Sequence, residues 1–135
     1  MLVCDTSVIY AAQDTTERDH AACAELLRSA AAVVVPAPTL VGLDQLARSR
    51  RFPDIMVAML ESIRDGSVLI APTDLEGYER IQELLVQYAD FPLSLVDAAV
   101  VATAERLEQT TIATLDRRHF SVVRPLHVAA FELVP

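Results

Sequence analysis

MLVCDTS, residues 1–7, decides the fold. Its apolar start runs straight into Asp5, and Thr6 and Ser7 then open a short helix predicted over Ser7–Ala12. A brief run without polar alternation is the pattern of a strand buried on both faces, as in a parallel sheet. TIATLD, residues 111–116, has the same form: a strand predicted over Thr111–Leu115 that delivers Asp116. A third acid, Asp97, arrives in SLVDAAVVATA, residues 94–104, near the start of a helix that is apolar on nearly every face. In an open α/β sheet, groups at the carboxyl ends of adjacent strands share one crevice, where such folds bind ligands.

Between these stretches, short apolar runs alternate with helical patterns. Val33–Val35, ended by Pro36 and Pro38, then Val68–Ala71 and a segment near Phe131–Val134 read as further strands. Asp19 is placed to cap a helix running to about Ala30. Thr39–Arg50 is amphipathic, and Phe52–Asp65 makes a helix stopped at Gly66. Thr73 and Glu76 form a capping-box pattern for a helix to about Tyr88, with Tyr78, Ile81, Leu85 and Tyr88 on its core face. Leu95–Glu108 is the next helix, and Arg117–Phe120 a short turn. Strands alternating with helices predict an α/β fold: one domain over residues 1–135, with a mostly parallel central sheet covered on both faces.

Hydrophobic residues make up 53% of the chain, yet no apolar run reaches the ~18 residues needed to span a bilayer. The first residues carry no basic segment and meet Asp5 at once, unlike a signal peptide. Cys4 and Cys23 form no CxxC pair, and Cys4 reads as a small core residue inside the first strand. The expectation is a soluble cytoplasmic protein without membrane contact. All 11 basic residues are arginines, and the absence of lysine excludes the P-loop, kinase chemistry and a pyridoxal Schiff base. It also argues against receiver domains and haloacid-dehalogenase-type phosphatases, which gather aspartates at strand ends but use a lysine as well. His20, His119 and His127 are too scattered to form a metal motif.

Each strand-end acid also has a plain structural reading. Asp5 is placed to cap the helix after it, Ser94 and Asp97 match a capping box, and Asp116 is placed to cap the Arg117–Phe120 turn. Asp44 is harder to assign that way. It lies beside the apolar stripe Leu40, Leu43, Ala47, where an unpaired carboxylate is expensive. Crowded carboxylates repel one another unless a divalent cation neutralises them, and oxygen-only donors suit Mg²⁺ or Mn²⁺.

VCDTSVIYA, PTLVGLDQLARS, DFPLSLVDAAVVATAERL, ATLDRRHFSVVRP and the terminal FELVP together resemble, in order and spacing, the PIN-domain family and its VapC-type toxins. The resemblance implies a three-layer α/β/α sandwich and a metal-dependent endoribonuclease of a toxin–antitoxin module. It carries over the acids Asp5, Asp44, Asp97 and Asp116, with Asp5, Asp97 and Asp116 the main ligands of Mg²⁺, or of Mn²⁺ in its place. The family usually has Glu at the second position, where this chain is assigned Asp44. Thr6, Ser7 and Thr114 fall at polar positions flanking the acids, and Arg117 and Arg118 are the candidates for RNA phosphate contacts. With no Trp and few aromatics, RNA selection is expected to rest on shape and backbone geometry. The resemblance further implies a homodimer and a small antitoxin with a basic inhibitory segment, which a net charge of −8 suits. Two alternatives stay open: a catalytically inactive PIN-fold binding module, and a Mg²⁺-dependent small-molecule phosphatase.

Overall fold

The first strand, β1 (Leu2–Cys4), takes the centre of the sheet. On one side lie β2 (Val33–Pro36) and β3 (Val68–Ala71); on the other lie β4 (Thr111–Ala113) and β5 (Glu132–Val134). The order is β3-β2-β1-β4-β5, and all four pairings are parallel. This description covers residues 1–135 of a computed structural model.

Seven helices complete the layers: α1 (Thr6–Ala11), α2 (His20–Ser29), α3 (Ala37–Ser49), α4 (Asp54–Arg64), α5 (Leu75–Gln87), α6 (Leu95–Arg106) and α7 (Arg117–Val122). The two-residue period of a strand divides the core between the faces of the sheet. Leu2 and Cys4 of β1, with Val33 and Val35 of β2, face Val8, Ile9, Cys23, Leu43, Ile55 and Met59 from α1 to α4. Val3 and Ile112 face the other way, onto Ile81, Leu84, Val100, Val101 and Phe120 from α5 to α7. Every residue from Ala98 to Ala104 is buried, as a helix apolar all round must be. The result is an α/β/α sandwich on a parallel sheet, and no helix is long and apolar enough to cross a membrane.

Most predicted elements form within a residue or two of their expected bounds, and the differences have local causes. Pro36 is the last residue of β2, and α3 begins at once with Pro38 in its first turn, where the missing N–H costs nothing. Asp19 precedes α2 but makes no side-chain capping bond. The cap of α5 is Asp74, which accepts from the Gly77 N–H at 2.8 Å, in place of the Thr73–Glu76 box. On that helix Tyr78 is exposed and Leu84 buried. Gly77, Ile81 and Leu84 fall at helical spacing on the inward edge of α5, with Gly77 and Ile81 lining the same cleft as Ala99 and Thr103, and Tyr78 lies off that edge. Gly66 ends α4 at φ +84°, a conformation that suits glycine.

Candidate active site

The parallel pairing of β1 with β4 sets Cys4 opposite Ala113, so Asp5 and Thr114 leave the sheet side by side. The Asp5 N–H continues the ladder to the Ala113 carbonyl at 2.9 Å. Asp5 is buried, and three donors converge on its carboxylate. The Thr6 N–H reaches Oδ1 at 2.7 Å, and the hydroxyls of Ser7 and Thr114 reach Oδ2 at 2.9 Å each. Those hydroxyls are themselves aligned from behind. Ser7 Oγ accepts from the Leu115 N–H at 3.0 Å, and Thr114 Oγ1 from the Asp116 N–H at 3.0 Å. The loop after β4 is thereby bonded, through two hydroxyls, to one oxygen of Asp5. Thr114 is thus no ordinary strand residue. Thr6 contributes through its backbone, and its hydroxyl points instead to the Thr39 carbonyl at 3.5 Å.

Burial raises the pKa of Asp5 above its ordinary value of 3.8; the Ser7, Thr114 and Thr6 hydrogen bonds pull it down, and the charge of Asp97 pushes it up. The capping box at Asp97 is fully formed. Its Oδ2 accepts from the Ser94 N–H at 2.9 Å, while its own N–H donates to Ser94 Oγ at 3.1 Å. Asp116 caps α7 by accepting from the His119 N–H at 3.1 Å, and its second oxygen meets His119 Nδ1. His119 was not singled out as a site residue from sequence, although its place three residues after Asp116 in a helical turn was the available signal. Its ring packs edge-on against Phe91, 5.2 Å between centroids. Asp5 and Asp116 thus follow the neighbouring strands β1 and β4 at their carboxyl ends, and Asp97 lies near enough to Asp5 for its charge to act on it.

Asp44 stands apart from them. It is paired with Arg48 one turn on, Nε to Oδ2 3.0 Å, and its side chain is 42% exposed. The premise of an unpaired buried carboxylate therefore fails. Gly42, two residues earlier, faces the elements that carry Asp5 and Asp97. A Cβ built there would lie 2.8 Å from Thr6 Oγ1 and 3.7 Å from Val96 Cγ2. Two helical positions differ by roughly 200°, so Asp44 occupies the opposite flank of the buried Leu43.

The basic candidates also divide. Arg117 donates to the carbonyls of Pro135 and Leu133, tying α7 to β5. Arg118 is exposed, makes no ion pair, and holds its guanidinium 5.9 Å from the centroid of Phe91. Arg48 and Arg50 are engaged by Asp44 and Glu17. Cys4 is buried, with a thiol pushed up to about 12 mainly by desolvation, which rules it out as a nucleophile.

The donor set here is all oxygen, at the end of the sheet where ligands bind, which is the chemistry a hard divalent cation requires. One buried hydroxyl beside it, Thr39 Oγ1, has no hydrogen-bond partner. No three acidic, imidazole or thiol side chains stand within reach of a single ion. The residues fit a hard cation in the kind of donor they offer.

The model of the PIN domain matches residues 2–125. A curated relative, ribonuclease VapC26 of Mycobacterium tuberculosis (strain ATCC 25618 / H37Rv), is 36% identical over 135 residues, covering 99% of this chain and all of that protein. Among solved structures, the fold is similar to that of M. tuberculosis VapC20, described as a sarcin–ricin loop cleaving toxin. That match has a TM-score of 0.73 at 22% identity and covers 83% of this chain and 87% of the other. A toxin–antitoxin complex from Klebsiella pneumoniae matches with a TM-score of 0.65 at 18% identity, over 91% and 92% of the two chains. From the parallel sheet, the acids at its carboxyl end and a family match over nearly its whole length, the chain belongs to the PIN-domain family, with VapC-type proteins among its relatives.

Proposed function

We propose that this chain is a metal-dependent endoribonuclease, the toxin of a toxin–antitoxin pair, which hydrolyses RNA phosphodiesters at the crevice of Asp5, Asp97 and Asp116. One observation carries the reading. Asp5 is a buried carboxylate whose three donors all come from the turn and loop around it, and which feels the charge of Asp97. Asp5 also caps α1, but a carboxylate buried at the crevice where such folds bind ligands, with its pKa raised, is the kind of group that marks a functional site. The names of the relatives support the same activity, since one is a ribonuclease and another an RNA-loop cleaving toxin.

Asp5, Asp97 and Asp116 would hold Mg²⁺, or Mn²⁺ in its place. The bound ion supplies Lewis-acid stabilisation of phosphoryl charge and activation of a water. The remaining work belongs to the chain. Ser7 and Thr114 fix the Asp5 carboxylate, Ser94 fixes Asp97, and His119 fixes both oxygens of Asp116. Arg118, free of ion pairs beside Asp116, is the cation left to meet an RNA phosphate. Arg117 is less suited, being bonded to the carbonyls of β5. A basic antitoxin segment complements the acidic crevice and the net charge of −8, and the active unit is a cytoplasmic homodimer.

A rival reading, a PIN fold that binds without catalysis, draws on the absence of three acids at ligand distance of one ion. Expression in bacteria decides between them. The wild-type chain should arrest growth and, once purified, cleave RNA in Mg²⁺ or Mn²⁺ but not in EDTA. Asp5→Ala should abolish both effects while remaining soluble. Cleavage that survives EDTA, or an Asp5→Ala protein as active as wild type, would overturn the proposal.

A further inference from the structure

The structure assigns the α3 side of the acidic crevice to position 42, where this chain has glycine, so that the site is a three-aspartate site with one side unfilled and Asp44 outside it. The inference rests on the nuclease reading above and refines the composition of that site.

Three observations converge on it. The first is the environment of Gly42. Its missing Cβ points between Thr6, the residue after Asp5, and Val96, the residue before Asp97. A side chain at position 42 would extend between the two elements that carry those acids. The second is the commitment of Asp44. Its charge is neutralised by Arg48, and it lies on the flank of α3 away from the Thr6 contact. The third is a polar atom without a partner on the same flank. Thr39, one turn before Gly42, is 1% exposed; its carbonyl receives the Thr6 hydroxyl, and its own Oγ1 has no hydrogen-bond partner. A buried hydroxyl is costly to leave unpaired, and most such groups find protein or water. The α3 wall beside Thr6 thus offers an unpaired hydroxyl and no carboxylate.

Gly42 has no conformational reason to be glycine. It lies inside a 13-residue helix, where glycine is less favourable than alanine by about 1 kcal/mol. What it avoids is a contact: a Cβ there would press on Thr6 Oγ1 at 2.8 Å, and because that hydroxyl is held only by a 3.5 Å contact, a longer residue at 42 would displace a rotatable group and not backbone. The consequence is chemical. Affinity of an oxygen site for a divalent cation rises with the number of charged ligands. A crevice with carboxylates on the β1, β4 and α6 sides, and none on the α3 side, holds its ion more weakly than one closed on all four.

The test uses the full chain and Mn²⁺ as the probe, followed by titration calorimetry, with cleavage of an RNA oligonucleotide as a second readout. Asp44→Ala should leave Mn²⁺ affinity and cleavage within about twofold of wild type, because it removes only an exposed ion pair. Gly42→Glu should bind Mn²⁺ about tenfold more tightly, the scale of one added charged ligand. If Gly42→Glu does not fold, Gly42→Asp combined with Thr6→Ala, which removes the obstructing hydroxyl, is measured against Thr6→Ala alone for the same gain. A tenfold loss in Asp44→Ala, or a folded carboxylate variant at 42 with unchanged affinity, overturns the inference. Failure of the nuclease reading looks different: wild type would match Asp5→Ala in both Mn²⁺ binding and cleavage. An inert wild type made active by Gly42→Glu would support the inference and show that the chain as it stands is not a nuclease.

Discussion

Replacing Thr114 by valine should separate a working hydroxyl from a strand residue that merely fills space. Thr114 is fully buried; its Oγ1 donates to Asp5 Oδ2 at 2.9 Å and accepts from the Asp116 N–H at 3.0 Å. Valine has the same shape and neither bond. Losing a hydrogen bond to a carboxylate costs about 1.5–3 kcal/mol, and stranding a shielded backbone N–H costs about 1–3 kcal/mol. These losses overlap, and the new methyl group returns about 0.8 kcal/mol. The net is about 2–4 kcal/mol. For a chain of 135 residues each kcal/mol shifts the melting temperature by about 3–5 °C, so a fall of roughly 10 °C is expected. Thr114→Ser is the control, keeping the hydroxyl and losing one methyl, a change worth about 1 kcal/mol. Thermal unfolding by circular dichroism in EDTA at pH 7 reads both. A valine variant melting within about 2 °C of wild type, or above the serine variant, would refute the reasoning, since the hydroxyl would then contribute nothing.

Asp97→Asn keeps an oxygen for the Ser94 N–H while removing a charge that bears on Asp5. In calorimetry it should bind Mn²⁺ more weakly, and in EDTA it should melt at or above the wild-type temperature; a clear loss of stability would favour a purely capping role. The raised pKa of Asp5 means that the folded protein holds this proton to higher pH than the unfolded chain does. Its contribution to metal-free stability is thus greatest below about pH 4 and declines as pH rises through the folded value. The melting temperature of Asp5→Asn minus that of wild type should accordingly climb with pH from about 4 upward, and a flat difference would contradict the shift. Arg80→Met tests the other buried ionic group, in which Arg80 grips both oxygens of Glu105 at 2.7 and 2.9 Å. With Glu105 only 8% exposed, losing its cation should cost about 3–5 kcal/mol in urea denaturation, and a loss below about 1 kcal/mol would count against a buried pair.

The fold was legible because parallel strands need apolar residues on both faces, and the runs ending at Cys4, Val35, Ala71 and Ala113 supply them. What misled was contact across sequence distance. Nothing local announces that the inward edge of α5 runs through Ile81 and Leu84 and leaves Tyr78 exposed. Of the candidate acids, Asp5 and Asp116 were legible as residues that follow a strand and Asp97 as one that opens a helix. The premise for Asp44, an unpaired buried carboxylate, failed because helical spacing locates the buried stripe but not how exposed its flanks are. Its pairing with Arg48, four residues on, was available in the sequence and outweighed by the apparent penalty of burial. His119 belongs to no metal motif in the sequence, and its bond to Asp116 depends on the turn of α7 that brings the two together.

The placement of Cys4 gives the molecule a built-in timer. Thiol reagents need a thiolate in contact with solvent, and Cys4 offers neither while its strand stays paired on both sides. It cannot be reached at the surface, so its modification counts departures of the central strand from the sheet. Cys23 is also buried, and a Cys23→Ala chain leaves that count to Cys4 alone. Because the next residue is Asp5, anything that engages the carboxylate also lengthens the interval between departures. The rate at which a single sulfur reacts therefore reports, without RNA and without turnover, how firmly the crevice is occupied.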